Sequence, residues 1–246
     1  MDLEGKTALI TGGSTGIGRA VALKLASLKV NIAINYSSSK EEAVKTLEDV
    51  KKFGGNARIY QADVSNCSQV EEMCKAVIQD FGKLDILINN AGATNYVALN
   101  DLDGLLDEYW DRAFNVNVKG AFYTSRSCML ELKKNTGCIV NITSIAGFSG
   151  KGSSIAYAAS KAAGISLTKS LAHVLAPEVK VNSIAPGIVL TRWVEGQEDH
   201  IRRQSEGTLL GRVATPEDVA NMTVAIIQGG DFVTGQTLVV DGGCTL

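Results

Sequence analysis

Short runs of almost wholly apolar residues recur along this chain, each followed by a stretch of helical periodicity, and no other feature constrains the fold as much. The runs are Lys6–Thr11, Val30–Asn35, Ala57–Gln61, Leu84–Asn89, Cys138–Thr143, Val179–Ile184 and Thr237–Val240. A strand with one wet face alternates apolar and polar residues; these do not, so both their faces are expected to be covered. The intervening segments read as helices at Gly16–Leu28, Lys40–Phe53, Ser68–Phe81, Ser154–Leu175 and Pro216–Ile227. Glu108–Lys134 reads as mostly helical with an irregular middle. Ser68-Gln-Val-Glu71 and Thr215-Pro-Glu-Asp218 have the spacing of capping boxes, the second with proline at the first helical position. Alternating strands and helices predict an α/β fold, a doubly wound parallel sheet of about seven strands with right-handed crossovers and helices on both faces. No repeat, low-complexity tract or linker interrupts the pattern, so residues 1–246 are expected to form a single domain.

The composition narrows the function classes. A net charge of −2 gives no reason to expect a nucleic-acid partner. Cys67, Cys74, Cys128, Cys138 and Cys244 include no Cys-x-x-Cys pair, and His173 and His200 lie far apart, so no metal site is expected. Scattered cysteines, no basic start followed by an apolar stretch, and no apolar run of about 20 residues together suggest a cytoplasmic protein outside the membrane.

Two clusters carry chemistry. Gly12, Gly16 and Gly18 follow the first strand and open the first helix, where a backbone turn can approach a pyrophosphate and present helix N-terminal amides to it. Tyr157 and Lys161 are one helical turn apart, so phenol and ammonium share a face, and Ser144 lies 13 positions before the tyrosine. A neighbouring cation is expected to lower the tyrosine pKa and fit it for acid–base work. Together the clusters predict nicotinamide-dependent carbonyl chemistry.

The ordered motifs Thr11-Gly12-x-x-x-Gly16-x-Gly18, Asp63, Asn89-Asn90-Ala91-Gly92, Asn117 in Val116-Asn117-Val118-Lys119-Gly120, Ser144, Tyr157, Lys161, Asn182, Pro186-Gly187, Thr191 and Val240-Asp241-Gly242-Gly243 resemble the short-chain dehydrogenase/reductase family, in its single-domain branch. The resemblance covers essentially the whole chain. It implies a Rossmann-like fold, a catalytic set of Asn117, Ser144, Tyr157 and Lys161, and an assembly of four identical chains. It also implies cofactor contacts from Gly12, Ser14, Thr15, Gly16, Ile17, Gly18, Asp63, Val64, Asn90, Ala91, Gly92, Tyr157, Lys161, Pro186, Gly187, Ile188 and Thr191. In such relatives the aspartate takes the adenine amine, the lysine the nicotinamide ribose, and the asparagine organises a water that links the lysine to solvent. Asn115, Asn89 and Asn182 are read as structural. Ser154–Leu175 and Val239–Leu246 are the expected contact surfaces of the tetramer.

NADP(H) is expected over NAD(H). The second strand ends in Tyr36, Ser37 and Ser38 with Lys40 following, and no carboxylate stands there to repel a 2′-phosphate. Against this, Thr15 replaces the arginine of many relatives that use the phosphorylated cofactor, Glu41 and Glu42 are near, and Ser38 or Ser39 can instead cap the next helix. The substrate is expected to be a small carbonyl or alcohol. The pattern is also similar to that of 3-oxoacyl-[acyl-carrier-protein] reductases, which makes acyl carrier protein a candidate partner; Lys133 and Lys134 are placed near the mouth of the site. Ala93–Asp107 reads as a modified substrate rim, and the polar stretch from Thr191 to Leu209 as either a mobile lid or a solvated helical insertion.

Overall fold

The apolar runs pair as one parallel sheet in the computed structural model, which describes residues 1–196 and 198–246. The strands are β1 (Thr7–Ile10), β2 (Asn31–Tyr36), β3 (Ala57–Gln61), β4 (Ile86–Asn89), β5 (Cys138–Ile142), β6 (Lys180–Pro186) and β7 (Thr237–Val240). Their order across the sheet is β3-β2-β1-β4-β5-β6-β7, every neighbouring pair parallel. The order reverses between β1 and β4, so a crevice opens beyond their carboxyl ends, where ligands bind in such sheets.

The crossovers are α1 (Gly16–Ser27), α2 (Lys40–Lys51), α3 (Cys67–Phe81), α4 (Asp107–Phe114), α5 (Ala121–Lys134), the short α6 (Ala146–Ser149), α7 (Ile155–Leu175), α8 (Glu198–Glu206) and α9 (Pro216–Gly229). Successive strand residues point to opposite faces, and the core divides accordingly. Ile10, Ile32, Ile34, Ile86 and Ile88 pack with Val21 and Leu25 of α1 and Val219 and Val224 of α9. Leu9, Ala33, Leu87, Ile139 and Val181 pack on the other side with Val70 and Val77 of α3, Leu132 of α5 and Leu175 of α7. Each fully buried leucine or isoleucine contributes about 1.5–3 kcal/mol, so both layers are needed to hold the crevice in shape. Among the described residues no helix is long and apolar enough to cross a membrane.

Most element ends fall within two residues of those expected. The box at Thr215 forms: its Oγ1 accepts from the Asp218 N–H at 3.3 Å while Asp218 Oδ2 accepts from the Thr215 N–H at 2.7 Å. The box at Ser68 does not. The helix starts one residue earlier, at Cys67, and Asn66 Oδ1 accepts from the Gln69 N–H at 3.1 Å, an amide doing the capping instead of the serine. Ser39 precedes α2 but makes no side-chain cap bond. The irregular middle of Glu108–Lys134 is a π-helical turn, Asn115–Gly120, between α4 and α5. Such turns break the i→i+4 ladder and cluster at functional sites.

Candidate active site

The glycine turn after β1 is pinned from three sides. Thr11 Oγ1 accepts from the N–H groups of Asn90 and Ala91, each at 3.0 Å, and Asn90 Nδ2 donates back to the carbonyls of Thr11 (2.9 Å) and Gly12 (3.0 Å). From β2, Asn35 Oδ1 accepts from the Gly12 N–H at 3.2 Å. From α2, Thr46 Oγ1 donates to the Ser14 carbonyl at 2.9 Å. Gly12 has φ +60°, a conformation other residues rarely adopt. A Cβ at Gly18 would stand 2.4 Å from the Gly12 carbonyl oxygen and 2.5 Å from Asn90 Nδ2. Thr15, the residue before α1, makes no side-chain cap bond and the first turn carries no acid. The helix therefore presents uncapped amides of Gly16, Ile17 and Gly18, together with its positive end, to the crevice. A bare, glycine-lined helix start of this kind fits the diphosphate of a dinucleotide.

The catalytic candidates converge at the carboxyl ends of β4 and β5. Ser154 Oγ accepts from the Tyr157 N–H at 3.2 Å and so caps α7, which puts Tyr157 in the helix's first turn. Ser144, just beyond β5, accepts from the Ala146 N–H at 3.1 Å, and its hydroxyl is near enough to the Tyr157 phenol to lower its pKa. Lys161 is buried; its Nζ donates to the Ile142 carbonyl at 2.9 Å and lies 5.6 Å from the centre of the Tyr157 ring. Asn117, in the π-helical turn, accepts from the Ala93 N–H at 2.7 Å and donates to the Ala93 carbonyl (3.0 Å) and Ser160 Oγ (2.9 Å). It thereby ties the segment after β4 to α7 beside the lysine. A cavity of about 20 Å³, bordered by Thr11, Ala91, Asn117, Ile142 and Lys161, lies under this group and has room for about one water.

One electrostatic expectation is reversed. Burial, the largest influence, pushes the Tyr157 phenol up to about 12, with the Ser144 hydrogen bond pulling it down and the Tyr96 phenol raising it further. Burial also brings the Lys161 ammonium down to about 8. The lysine does not acidify its neighbour because desolvation dominates both groups and the ammonium points to the Ile142 carbonyl.

The remaining expected contacts fall around the crevice with differing freedom. Asp63 is exposed; one carboxylate oxygen accepts from the Ser65 N–H and hydroxyl, and Oδ2 is left to accept from a ligand. Val64 is buried beside Gly120. Tyr36 is buried while Ser37 and Ser38 are exposed, so of the three hydroxyls expected at a 2′-phosphate only the serines stand open. Pro186 ends β6, the Gly187 N–H donates to the Val240 carbonyl at 3.0 Å, and the Ile188 carbonyl accepts from the Ala214 N–H at 3.0 Å. These bonds carry the chain back so that Thr191 Cγ2 lies 3.3 Å from a Cβ built on Gly16. Asn89 and Asn182 are structural, as expected. Asn89 bridges β4 to Asn141 Oδ1 (2.9 Å), and Asn182 bonds the Val233 carbonyl (2.8 Å) and the Gln236 N–H (3.0 Å).

Lys133 and Lys134 require a correction. They end α5, whose next residue, Asn135, bonds the Leu84 carbonyl ahead of β4 at 3.1 Å. Within one chain they lie at the amino ends of the strands, opposite the crevice, and pair with Glu178 and Glu131. The stretch from Thr191 to Leu209 is part turn and part α8, which buries no side chain; Gln197 within it lies outside the described residues. Its Trp193 nevertheless reaches the site, with ring centroid 6.2 Å from that of Tyr157 at an interplanar angle of 74°. Sequence reasoning missed Trp193 and Tyr96 as site residues, and Asn35 and Thr46 as supports of the turn. A polar amide inside the apolar run Val30–Asn35 was the available signal for Asn35.

The family model for short chain dehydrogenases matches residues 6–202. The chain belongs to the short-chain dehydrogenase/reductase family. A 3-oxoacyl-[acyl-carrier-protein] reductase of Staphylococcus aureus is 37% identical over 97% of both chains, and one from Thermotoga maritima is 34% identical over the full length of both. A short chain dehydrogenase from Burkholderia cenocepacia, solved in complex with NADP, is 33% identical over the whole of both chains with a TM-score of 0.93. This short-chain dehydrogenase is accordingly an NAD(P)-dependent oxidoreductase acting on CH–OH or keto groups.

Proposed function

We propose that the enzyme interconverts a ketone and a secondary alcohol, with NADP(H) as cofactor and Tyr157 as the proton-transferring residue. The carrying observation is the convergence of Ser144, Tyr157 and the buried Lys161, whose Nζ lies 5.6 Å from the centre of the tyrosine ring, beyond the carboxyl end of β5. The cofactor, when bound, supplies the hydride. With its phenol pushed up to about 12, Tyr157 is protonated at neutral pH and is ready to give a proton to a developing alkoxide. Ser144 Oγ offers a second hydrogen bond to the same oxygen. Both features favour reduction. Lys161 holds the nicotinamide ribose, and Asn117 organises the lysine's link to solvent; the small cavity beside both has room for the water that link requires.

The diphosphate is held by Gly12, Ser14, Thr15, Gly16, Ile17 and Gly18, the adenine by Asp63 and Val64, and the ribose by Asn90, Ala91 and Gly92. Pro186, Gly187, Ile188 and Thr191 take the nicotinamide end. For NADP(H) over NAD(H), the support is the lack of a carboxylate at the end of β2, the open Ser37 and Ser38, the exposed Lys40, and the NADP bound by the Burkholderia relative. A 3-oxoacyl thioester on acyl carrier protein is a second reading, favoured by the names of the Staphylococcus and Thermotoga relatives. The protein is proposed to act in the cytoplasm as a homotetramer; the exposed Val174 on α7 and Val239 and Leu246 at the C-terminal end suit buried contacts between chains. The test is kcat/KM for NADPH and NADH across a panel of ketones. The proposal expects turnover with at least a tenfold preference for NADPH; a tenfold preference for NADH refutes the cofactor assignment, and no turnover on any carbonyl refutes the reaction.

A further inference from the structure

We infer that Trp193, positioned by Tyr96, sets the substrate class: its indole walls the space in front of Tyr157 and selects ketones bearing a compact, flat apolar group over linear acyl thioesters. The inference rests on the proposed reaction and adds the residue that chooses among ketones. Four observations carry it. The indole stands nearly perpendicular to the Tyr157 ring at 6.2 Å between centroids, so it packs beside the residue that carries the reacting group. The far end of the indole, Cη2, lies 3.6 Å from a Cβ built on Gly92, so the wall spans from the tyrosine to the segment after β4 and leaves about one carbon layer there. Tyr96 Oη donates to the Trp193 carbonyl at 2.7 Å, joining the segment after β4 to the turn after β6 across the mouth of the site. The Trp193 N–H donates to Thr191 Oγ1 at 3.4 Å and the Val194 N–H to the Thr191 carbonyl at 3.0 Å, so the turn carrying the indole is anchored where Thr191 packs on Gly16.

The segment that carries Tyr96 is consistent with this. Residues 93–107 hold no lysine, arginine or histidine but three aspartates, Asp101, Asp103 and Asp107, and expose Tyr96, Leu99 and Leu102. The exposed apolar side chains of this segment, beside the Tyr96–Trp193 contact, suit an apolar substrate. A large rigid aromatic wall gains most from flat partners, through stacking and apolar contact. A flexible acyl chain must instead thread beneath the Tyr96–Trp193 bridge.

The experiment compares kcat/KM with NADPH for acetophenone and cyclohexanone against a linear 3-oxoacyl N-acetylcysteamine thioester, in the wild type and in Trp193→Ala, Trp193→Phe and Tyr96→Phe. Expected are a wild-type preference of at least tenfold for the cyclic ketones and a fall of at least tenfold in that ratio for Trp193→Ala, carried by KM. Trp193→Phe restores most of the ratio, and Tyr96→Phe lowers it about threefold through KM, as a positioning residue should. A wild type that prefers the thioester, or a Trp193→Ala enzyme that keeps the wild-type preference, overturns the inference. Should Trp193→Ala fail to fold, an unchanged KM in Tyr96→Phe overturns the positioning role. A wild type inactive on every carbonyl sinks the proposed reaction itself, and this inference with it.

Discussion

Replacing Lys161 by methionine should make the cofactor-free protein more stable at neutral pH and flatten its response to alkali. The side chain is only 6% exposed, and burial has brought its pKa from 10.5 to about 8. At about 1.4 kcal/mol per pH unit, keeping the ammonium in the fold costs about 3 kcal/mol. The sign follows from proton counts. Between pH 8 and 10.5 the unfolded chain keeps a proton on this lysine that the folded chain has lost, so stability rises with pH across that window. Below pH 8 both states are charged and the whole penalty is present. Methionine has a similar length and no charge, but leaves the Ile142 carbonyl without its 2.9 Å donor, a loss of about 1–2 kcal/mol. The net gain at pH 7 is therefore about 1–2 kcal/mol, a rise of about 2–4 °C in Tm per kcal/mol for a chain of this size. Tyr157 works the other way: its phenol, raised from 10.0 to about 12, contributes stability that is lost as pH climbs above 10, so measurements should stop at pH 10. Urea unfolding of both proteins at pH 7, 8, 9 and 10, at one protein concentration and without nucleotide, provides the comparison. Groups shared by the two proteins cancel in the difference, which should shrink by about 2 kcal/mol between pH 7 and pH 10. Parallel pH curves would show that Lys161 is not held in the fold at a penalty.

Gly18→Ala places a methyl group 2.4 Å from the Gly12 carbonyl oxygen, which forces the turn to move at about 1–3 kcal/mol; NADPH titration followed by nucleotide fluorescence should show at least a tenfold higher Kd, and an unchanged Kd would mean the turn does not hold the diphosphate. Asn35→Leu strips partners from the Gly12 N–H and the Ala62 carbonyl. It should lower stability by about 2 kcal/mol or more in thermal unfolding and weaken NADPH binding, and wild-type values for both would remove Asn35 from the support of the turn.

The legibility of the chain divides along physical lines. A parallel sheet covered by helices on both faces was readable because a doubly covered strand must be apolar on both faces, as Ile86–Ile88 is; the order of the strands was not. The spacing of Tyr157 and Lys161 was readable because helical geometry fixes it. What was not readable depended on how segments distant in sequence meet. Asn66 outcompetes Ser68 as a cap because the helix begins one residue early, a choice propensity cannot make. Lys133 and Lys134 looked close to the site until the direction of α5 placed them at the far end of the sheet. The pKa of Tyr157 went up instead of down because spacing reveals a neighbouring charge but not the depth at which both groups lie. Trp193 sits in a polar stretch with no periodicity, and only the folded turn after β6 brings its ring to the tyrosine.

Tyr157→Phe deletes the oxygen proposed to give the proton and leaves the rest of the ring in place. NADPH binding should stay near the wild-type Kd, while single-turnover oxidation of bound NADPH by a reducible ketone should slow by at least a hundredfold. Wild-type single-turnover rates in Tyr157→Phe would contradict the assignment of this phenol as the proton donor.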